Sequence, residues 1–341
     1  MSALAWLSQK LDDGRIACEA CHHHCKLHEN EYGLCGVRKV ENGELRLLVY
    51  GIASAINIDP IEKKPMFHFL PGSSIFSFGT VGCNFSCKFC QNFDISQYPQ
   101  EHHHEIIGSN LAPKDAVYLA QEHYCGSIAY TYNEPTVFLE YSYDTAKLAH
   151  KVGLKNVYVT NGYETHKAID TLAPYVEGMN IDIKGYSQSF YKEICGASVK
   201  PVLDTIAYAH KKGIWIETTT LLIPGHNDSD KEIRAIAKFQ ADLDPSMPWH
   251  ISAFYPMYKM QDVLPTPPST LKRAYEIGKD VGLKYVYVGN MDDESRESTY
   301  CPKCKKLVIE RHGHIGQYIT NHLNDEGICP HCHYKLEGIW H

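Results

Sequence analysis

Ser74-Ile75-Phe76-Ser77-Phe78-Gly79-Thr80-Val81-Gly82-Cys83-Asn84-Phe85-Ser86-Cys87-Lys88-Phe89-Cys90-Gln91 reads as an apolar strand that runs straight into a cysteine loop. The first eight residues are mostly β-branched, aromatic or small, as a buried strand requires. The loop then spaces its thiols Cys-x3-Cys-x2-Cys. Three thiolates so close in sequence can hold three irons of a [4Fe–4S] cluster and leave the fourth iron open to a substrate or cofactor. A structural zinc loop needs a fourth ligand to close its tetrahedron. The nearest candidates, His102, His103 and His104, would have to fold back to supply it. The cluster is therefore the reading adopted for Cys83, Cys87 and Cys90.

Outward from this loop, helix-like and strand-like segments alternate. Pro113 suits a first helical position, and Ala116, Leu119 and Ala120 share a helical face before the strand-like run over 127–132. A helix over 136–151 stops at Gly153, and 155–160 is a β-branched and aromatic strand. Further strands are expected over 178–184, 214–222, 249–254 and 284–288, with helices over 201–212 and 230–241 between them. Such alternation implies right-handed βαβ units and a parallel sheet. Six units after the strand at Ile75 predict an α/β fold, a partial (β/α)6-type barrel left open, with its chemistry at the C-terminal ends of the strands. The expected organisation is a Cys-rich segment over 1–70 with a hairpin at Asn42-Gly43, the barrel over 71–298, and a ribbon-like segment over 299–341. The runs His22–His24 and His102–His104 read as exposed loops.

A chain of 341 residues has room for one domain of about 200–250 residues with small attachments. The 33 basic and 40 acidic residues give a net charge of -7, which argues against a nucleic-acid partner. No basic stretch precedes an apolar core at the start, and no run approaches the roughly 18 apolar residues of a membrane span. A cytoplasmic protein without a membrane partner is expected.

The thirteen cysteines sort into metal-like groups that suit a reducing compartment, with Cys125 and Cys195 left alone. Cys301, Cys304, Cys329 and Cys332 form two Cys-x2-Cys knuckles with zinc-ribbon spacing, enough to staple a segment too short to fold by burial. Cys18, Cys21, Cys25 and Cys35 fit either a zinc staple or an auxiliary iron–sulfur cluster. The structural reading is taken for them because their spacing is not the compact bacterial ferredoxin run.

With Gly82 before its first cysteine and Phe89 before its last, the loop resembles the signature of radical S-adenosylmethionine (radical SAM) enzymes. In that family the cluster passes one electron to SAM, breaks its C5′–S bond and yields a 5′-deoxyadenosyl radical that abstracts hydrogen. The resemblance implies that the remaining strand ends grip SAM. Glu134, in Tyr132-Asn133-Glu134-Pro135, is expected to accept a hydrogen bond from the SAM ammonium; the bland alternative is a helix-start carboxylate. The superfamily usually has Gly-Gly-Glu here, and this chain keeps only the Glu. Asn161, before Gly162, can donate and accept. Asp182 and Lys184 share one side of a strand and are expected on the ribose and carboxylate rather than paired with each other in solvent. The turn Leu222–Asp228 offers an apolar edge to adenine.

The Asp-x-Lys, the Pro224-Gly225 turn and a His near the sixth strand resemble the pyruvate formate-lyase activating enzyme branch. By that likeness Phe89 lies near adenine and His250 touches the nucleoside. Cys18-x2-Cys21-x3-Cys25 followed by Gly33-Leu34-Cys35-Gly36-Val37-Arg38, then Tyr132–Thr136, Phe254-Tyr255-Pro256, Tyr287-Val288-Gly289-Asn290 and the C-terminal cysteine pairs, are similar to enzymes of the AmmeMemoRadiSam system over nearly the whole chain. His333 departs from that pattern where a knuckle glycine is expected. The resemblance implies a [4Fe–4S] cluster, SAM, an electron donor such as flavodoxin or ferredoxin, and association with a Memo-like protein. The branch likeness implies instead a glycyl-radical-enzyme activase. An iron–sulfur electron-transfer protein would leave Glu134, Asp182 and Lys184 without a task, and a nucleic-acid adaptor would want a basic surface. No motif reads the substrate.

Overall fold

Eight strands form one sheet in the computed structural model, which describes residues 2–291, 293–313 and 318–341. In chain order they are β1 (Ala55–Pro60), β2 (Ser74–Gly79), β3 (Ser127–Tyr130), β4 (Lys155–Thr160), β5 (Gly178–Asp182), β6 (Trp215–Leu222), β7 (Trp249–Ala253) and β8 (Val286–Gly289). They lie side by side in sequence order, β1 antiparallel to β2 and all later pairs parallel. Helices α1 (Pro113–Glu122), α2 (Leu139–Lys151), α3 (His166–Leu172), α4 (Val199–Lys211), α5 (Asp230–Leu243) and α6 (Pro268–Val281) make the crossovers. Each turns one apolar stripe to the sheet. In α5 the stripe is Ile233, Ile236 and Ala237, and Ser229 caps the helix by accepting from Glu232 N.

Seven parallel strands joined by six crossovers match the expected alternation. The two edge strands, β1 and β8, are not paired with each other, so the sheet stays open. The antiparallel strand β1 was not foreseen. It arises inside the Cys-rich first 70 residues, and its Ile56 and Ile58 remain exposed, so burial gives no clean alternation to read. Strand β5 stops at Asp182, which leaves Lys184 in the loop beyond it. The helix expected over 136–151 begins as a 3-10 turn, Pro135–Phe138, because the Glu134 side chain accepts from Thr136 N and tightens the entry.

Period two sends alternate side chains of the strands into the hollow of the sheet. The segment over 61–70 plugs the floor of that hollow: Ile61, Met66 and Phe69 pack with Ile75, Ala129 and Val157. The C-terminal segment seals the plug from outside. Arg311, fully buried, donates to Phe67 O at 2.8 Å, and Leu70 N donates to Ile339 O at 2.7 Å.

At the other end of the chain, Arg38–Glu41 and Glu44–Leu47 form the expected hairpin. Its two-residue turn has φ of 54° at Asn42 and 69° at Gly43, the left-handed pair that a twisted two-residue hairpin needs. Arg38 then anchors the hairpin to α2. Its Nη2 lies 2.6 Å from Glu140 Oε2, and each side chain is 2% exposed. Among the described residues no helix is long and apolar enough to cross a membrane.

Candidate cofactor site

Strand β2 ends at Gly79, and the chain between there and Cys83 is held by one side chain. Asn133 Nδ2 donates to Gly82 O at 2.6 Å and to Thr80 Oγ1 at 3.1 Å, while its Oδ1 accepts from Thr80 N at 3.2 Å. Gly79 has to be glycine, because a Cβ there would run into Thr131 O. Asn92 Nδ2 donates to Tyr132 O at 2.7 Å and ties the far end of the loop to the end of β3. The middle is strapped to the π-helical turn Tyr191–Cys195: Ser86 N donates to Cys195 O and Lys88 N to Ile194 O, both at 3.0 Å. The cysteine loop thus sits at the C-terminal end of the sheet, where the βαβ rule places chemistry.

The thiols are largely shielded. Burial pushes Cys83 well above the ordinary thiol range and Cys90 upward as well. Cys87 is shifted down, first by a hydrogen bond from the Cys195 thiol and further by the Lys184 ammonium. Phe85 N points at Cys83 Sγ, 3.4 Å away, and supplies one N–H to that sulfur.

The expected site residues divide. Asn161 comes to the loop: its Nδ2 is 4.0 Å from Cys83 Sγ and donates to Asn84 Oδ1 at 2.7 Å. Phe89 is buried against Phe190, with Lys184 Nζ 5.7 Å from its ring centre. Asp182 and Lys184 lie next to Phe89 of the cysteine loop and pair with each other at 2.8 Å. Their side chains are 33% and 15% exposed, so the pair belongs to the rim of the site and not to open solvent.

Glu134 is fully buried and already engaged. Its Oε1 accepts from Thr136 N, Thr136 Oγ1 and Thr160 Oγ1, and its Oε2 from Asn161 N at 2.8 Å. Burial, with the neighbouring Glu164 carboxyl, pushes its pKa up to about 8. Thr160 Oγ1 is also 2.6 Å from Glu164 Oε1. One hydroxyl carries one proton and cannot satisfy two carboxylates, so one of the two acids holds a proton.

His250 is a correction. Its Nε2 meets Glu217 Oε2 at 2.6 Å, its ring packs edge-on against Phe67 and stacks on Tyr287. Glu217 also accepts from Phe67 N and His68 N. Phe67 and His68 belong to the floor plug, Glu217 to β6 and Tyr287 to β8, and none of these partners is in the cysteine loop. The short His22–His24 run is also less exposed than expected, since His23 Nε2 bonds to Asn84 O at 2.7 Å. Sequence reasoning missed Asn84, Asn92, Asn133, Cys195 and Asn227. The last ties Lys184 O and Leu221 O together at 2.7 and 2.8 Å. Their only signal is that each stands in or beside a loop leaving a strand.

The outer cysteines behave differently from the trio. Cys301 Sγ lies 3.5 Å from Cys332 Sγ, and Cys304 Sγ 3.8 Å from Cys329 Sγ. A tetrahedron with metal–sulfur bonds of about 2.3 Å has an edge of about 3.8 Å, so this set already has the shape of a single-ion cage. Among the described residues it is the one group of three or more His, Cys, Asp or Glu whose ligand atoms all lie within 4.8 Å of one another. Cys18, Cys21, Cys25 and Cys35 instead line a cavity together with His23, Arg38 and Asn84.

Residues 78–239 match the family model described as the Radical SAM superfamily. A Methanocaldococcus jannaschii protein named only as uncharacterized, MJ0808, is 44% identical over 336 residues, 98% of this chain and 99% of its own. A second protein of that organism, named as the putative glycyl-radical enzyme activating enzyme MJ1632, is 31% identical over 51% of this chain and 65% of its own. Streptococcus suis SuiB, solved bound to S-adenosylmethionine, overlays with a TM-score of 0.51 at 12% identity, over 71% of this chain and 56% of that one. At that identity the likeness speaks for the fold alone.

Proposed function

We propose that this chain, which belongs to one family with the MJ0808 protein and carries a radical SAM domain, is an enzyme that cleaves SAM reductively and abstracts hydrogen from a substrate. The observation that carries the reading is the loop of Cys83, Cys87 and Cys90 held at the C-terminal end of β2, with the Asp182–Lys184 pair next to Phe89 of the same loop. A [4Fe–4S] cluster held by these three sulfurs supplies the electron that splits SAM into methionine and the 5′-deoxyadenosyl radical. The donor set fits such a group: three shielded thiols, an N–H aimed at Cys83 Sγ, and no fourth protein ligand required.

The chain's own residues bind and orient. Lys184 and Asp182 exchange their mutual contact for the carboxylate and the ribose of SAM. Phe89, between Lys184 and Phe190, offers a flat apolar face to the adenine. Glu134 acts as a positioning residue, since its carboxyl fixes Asn161 N and with it the amide next to Cys83. The plug over 61–70 closes the floor and keeps bulk water from the hollow above it. In this reading the ribbon holds zinc, the electron arrives from a flavodoxin- or ferredoxin-type donor, and a Memo-like protein of the same system is a candidate companion.

A glycine of a partner protein is the second substrate reading, favoured by the 31% identity to a protein named as a putative glycyl-radical enzyme activating enzyme. Anaerobic incubation of reconstituted protein with SAM, reductant and a deuterated metabolite extract tests the first reading by mass spectrometry. Deuterium in 5′-deoxyadenosine marks a small-molecule substrate. Unlabelled product with every extract fraction contradicts a small-molecule substrate, and label from a deuterated-glycine partner protein supports the activase.

A further inference from the structure

The N-terminal cysteine set that the sequence treats as a structural zinc site is not drawn together as the C-terminal set is. Within this one structure the Cys301 group closes to a single-ion tetrahedron, with sulfur contacts of 3.5 and 3.8 Å. The trio that awaits a four-iron cluster does not close in that way, and neither do Cys18, Cys21, Cys25 and Cys35. These four thiols line a common cavity. A cluster of several irons spreads its cysteine ligands wider than one zinc ion does.

Two further observations point into this cavity. Asn84, which is 5% exposed and lines it, has its side-chain nitrogen without a partner among the described residues. A buried N–H left unpaired is costly, and N–H groups directed at cluster sulfurs are a standard means of tuning such centres. Arg38, whose side chain is 2% exposed, also lines the cavity and is held by Glu140. A cluster ligated by four thiolates is anionic, and a fixed guanidinium beside it lowers the cost of burying that charge.

The cavity also adjoins the trio. A Cβ on Gly82 would stand 2.6 Å from Cys35 O, and His23 Nε2 bonds to Asn84 O. The residues on either side of Cys83 therefore touch the N-terminal segment at two of its cavity-bearing stretches. We propose that Cys18, Cys21, Cys25 and Cys35 bind a second iron–sulfur cluster, packed against the loop that carries the first. This assignment does not depend on SAM chemistry at the trio.

Metal counting on the full chain, reconstituted anaerobically with iron and sulfide, decides it. Wild-type protein is expected to carry about eight irons and about one zinc per chain. The triple variant Cys83→Ala, Cys87→Ala, Cys90→Ala is expected to keep about four irons, and adding Cys21→Ser and Cys35→Ser is expected to remove them. Electron paramagnetic resonance of the reduced wild type should show spin–spin broadening that disappears when either set is mutated. Wild-type protein with about four irons and about two zincs per chain overturns the assignment, whether or not the variants fold. Should the trio bind no iron while the N-terminal set does, the radical SAM reading fails and this one stands.

Discussion

Lys184 Nζ rests 2.8 Å from Asp182 Oδ2, and in the proposed site each residue exchanges that partner for a group of SAM. A partly exposed pair of this kind is worth at most about 1 kcal/mol, whereas a hydrogen bond to a charged ligand group contributes about 1.5–3 kcal/mol. The exchange favours the ligand. Asp182→Ala and Lys184→Ala are each expected to weaken SAM binding about ten- to hundredfold in titrations of cluster-loaded protein; unchanged affinity in both contradicts the strand-end site. Glu134 sets a pH dependence of the opposite kind to a salt-bridged acid. Burial raises its pKa from the ordinary carboxylate range to about 8, so the folded state keeps a proton that the unfolded state loses. That stability is complete below the unfolded value and is lost as pH rises through about 8. Thermal melts should therefore fall between those limits, and Glu164→Gln, which removes one of the two acids sharing Thr160, should flatten the slope.

At the scale of elements, the hairpin of Arg38–Glu41 and Glu44–Leu47 is joined to α2 by a buried ion pair. Arg38→Ala leaves Glu140 buried and unpaired, a change expected to cost about 3–5 kcal/mol in denaturant unfolding. A loss below about 1 kcal/mol, the range of surface pairs, contradicts the anchoring role. The alternation of parallel strands and crossover helices was legible because period-two and period-3.6 patterns come from burial, which composition records directly. Strand β1 was not, since its isoleucines stay exposed and its partner is fixed by distant pairing. The cysteine loop could be read from spacing. The asparagines that hold it, Asn92 and Asn133, could not, because a polar side chain in a loop looks alike whether it binds solvent or the backbone. His250 was misplaced for a related reason. A histidine on a strand carries no mark of which neighbour it faces, and only packing shows Glu217 on one side and Phe67 on the other.

Across the whole molecule, two cysteine-bearing segments flank the sheet and serve it differently. The C-terminal ribbon seals the floor plug through Arg311 and Ile339, far in function from the loop at the opposite rim. Cys301→Ser is expected to release about one zinc per chain and lower the melting temperature while the trio still assembles its iron. Iron in place of zinc at this ribbon contradicts the structural role. The N-terminal segment instead touches the cysteine loop on both sides of Cys83. The proposed function turns on Cys83, Cys87 and Cys90, and reductive cleavage of SAM by anaerobically reconstituted protein tests it most directly. Wild-type protein should release 5′-deoxyadenosine and methionine, and Cys83→Ala, Cys87→Ala and Cys90→Ala should each abolish that release. Undiminished cleavage in any one of these variants would contradict the assignment.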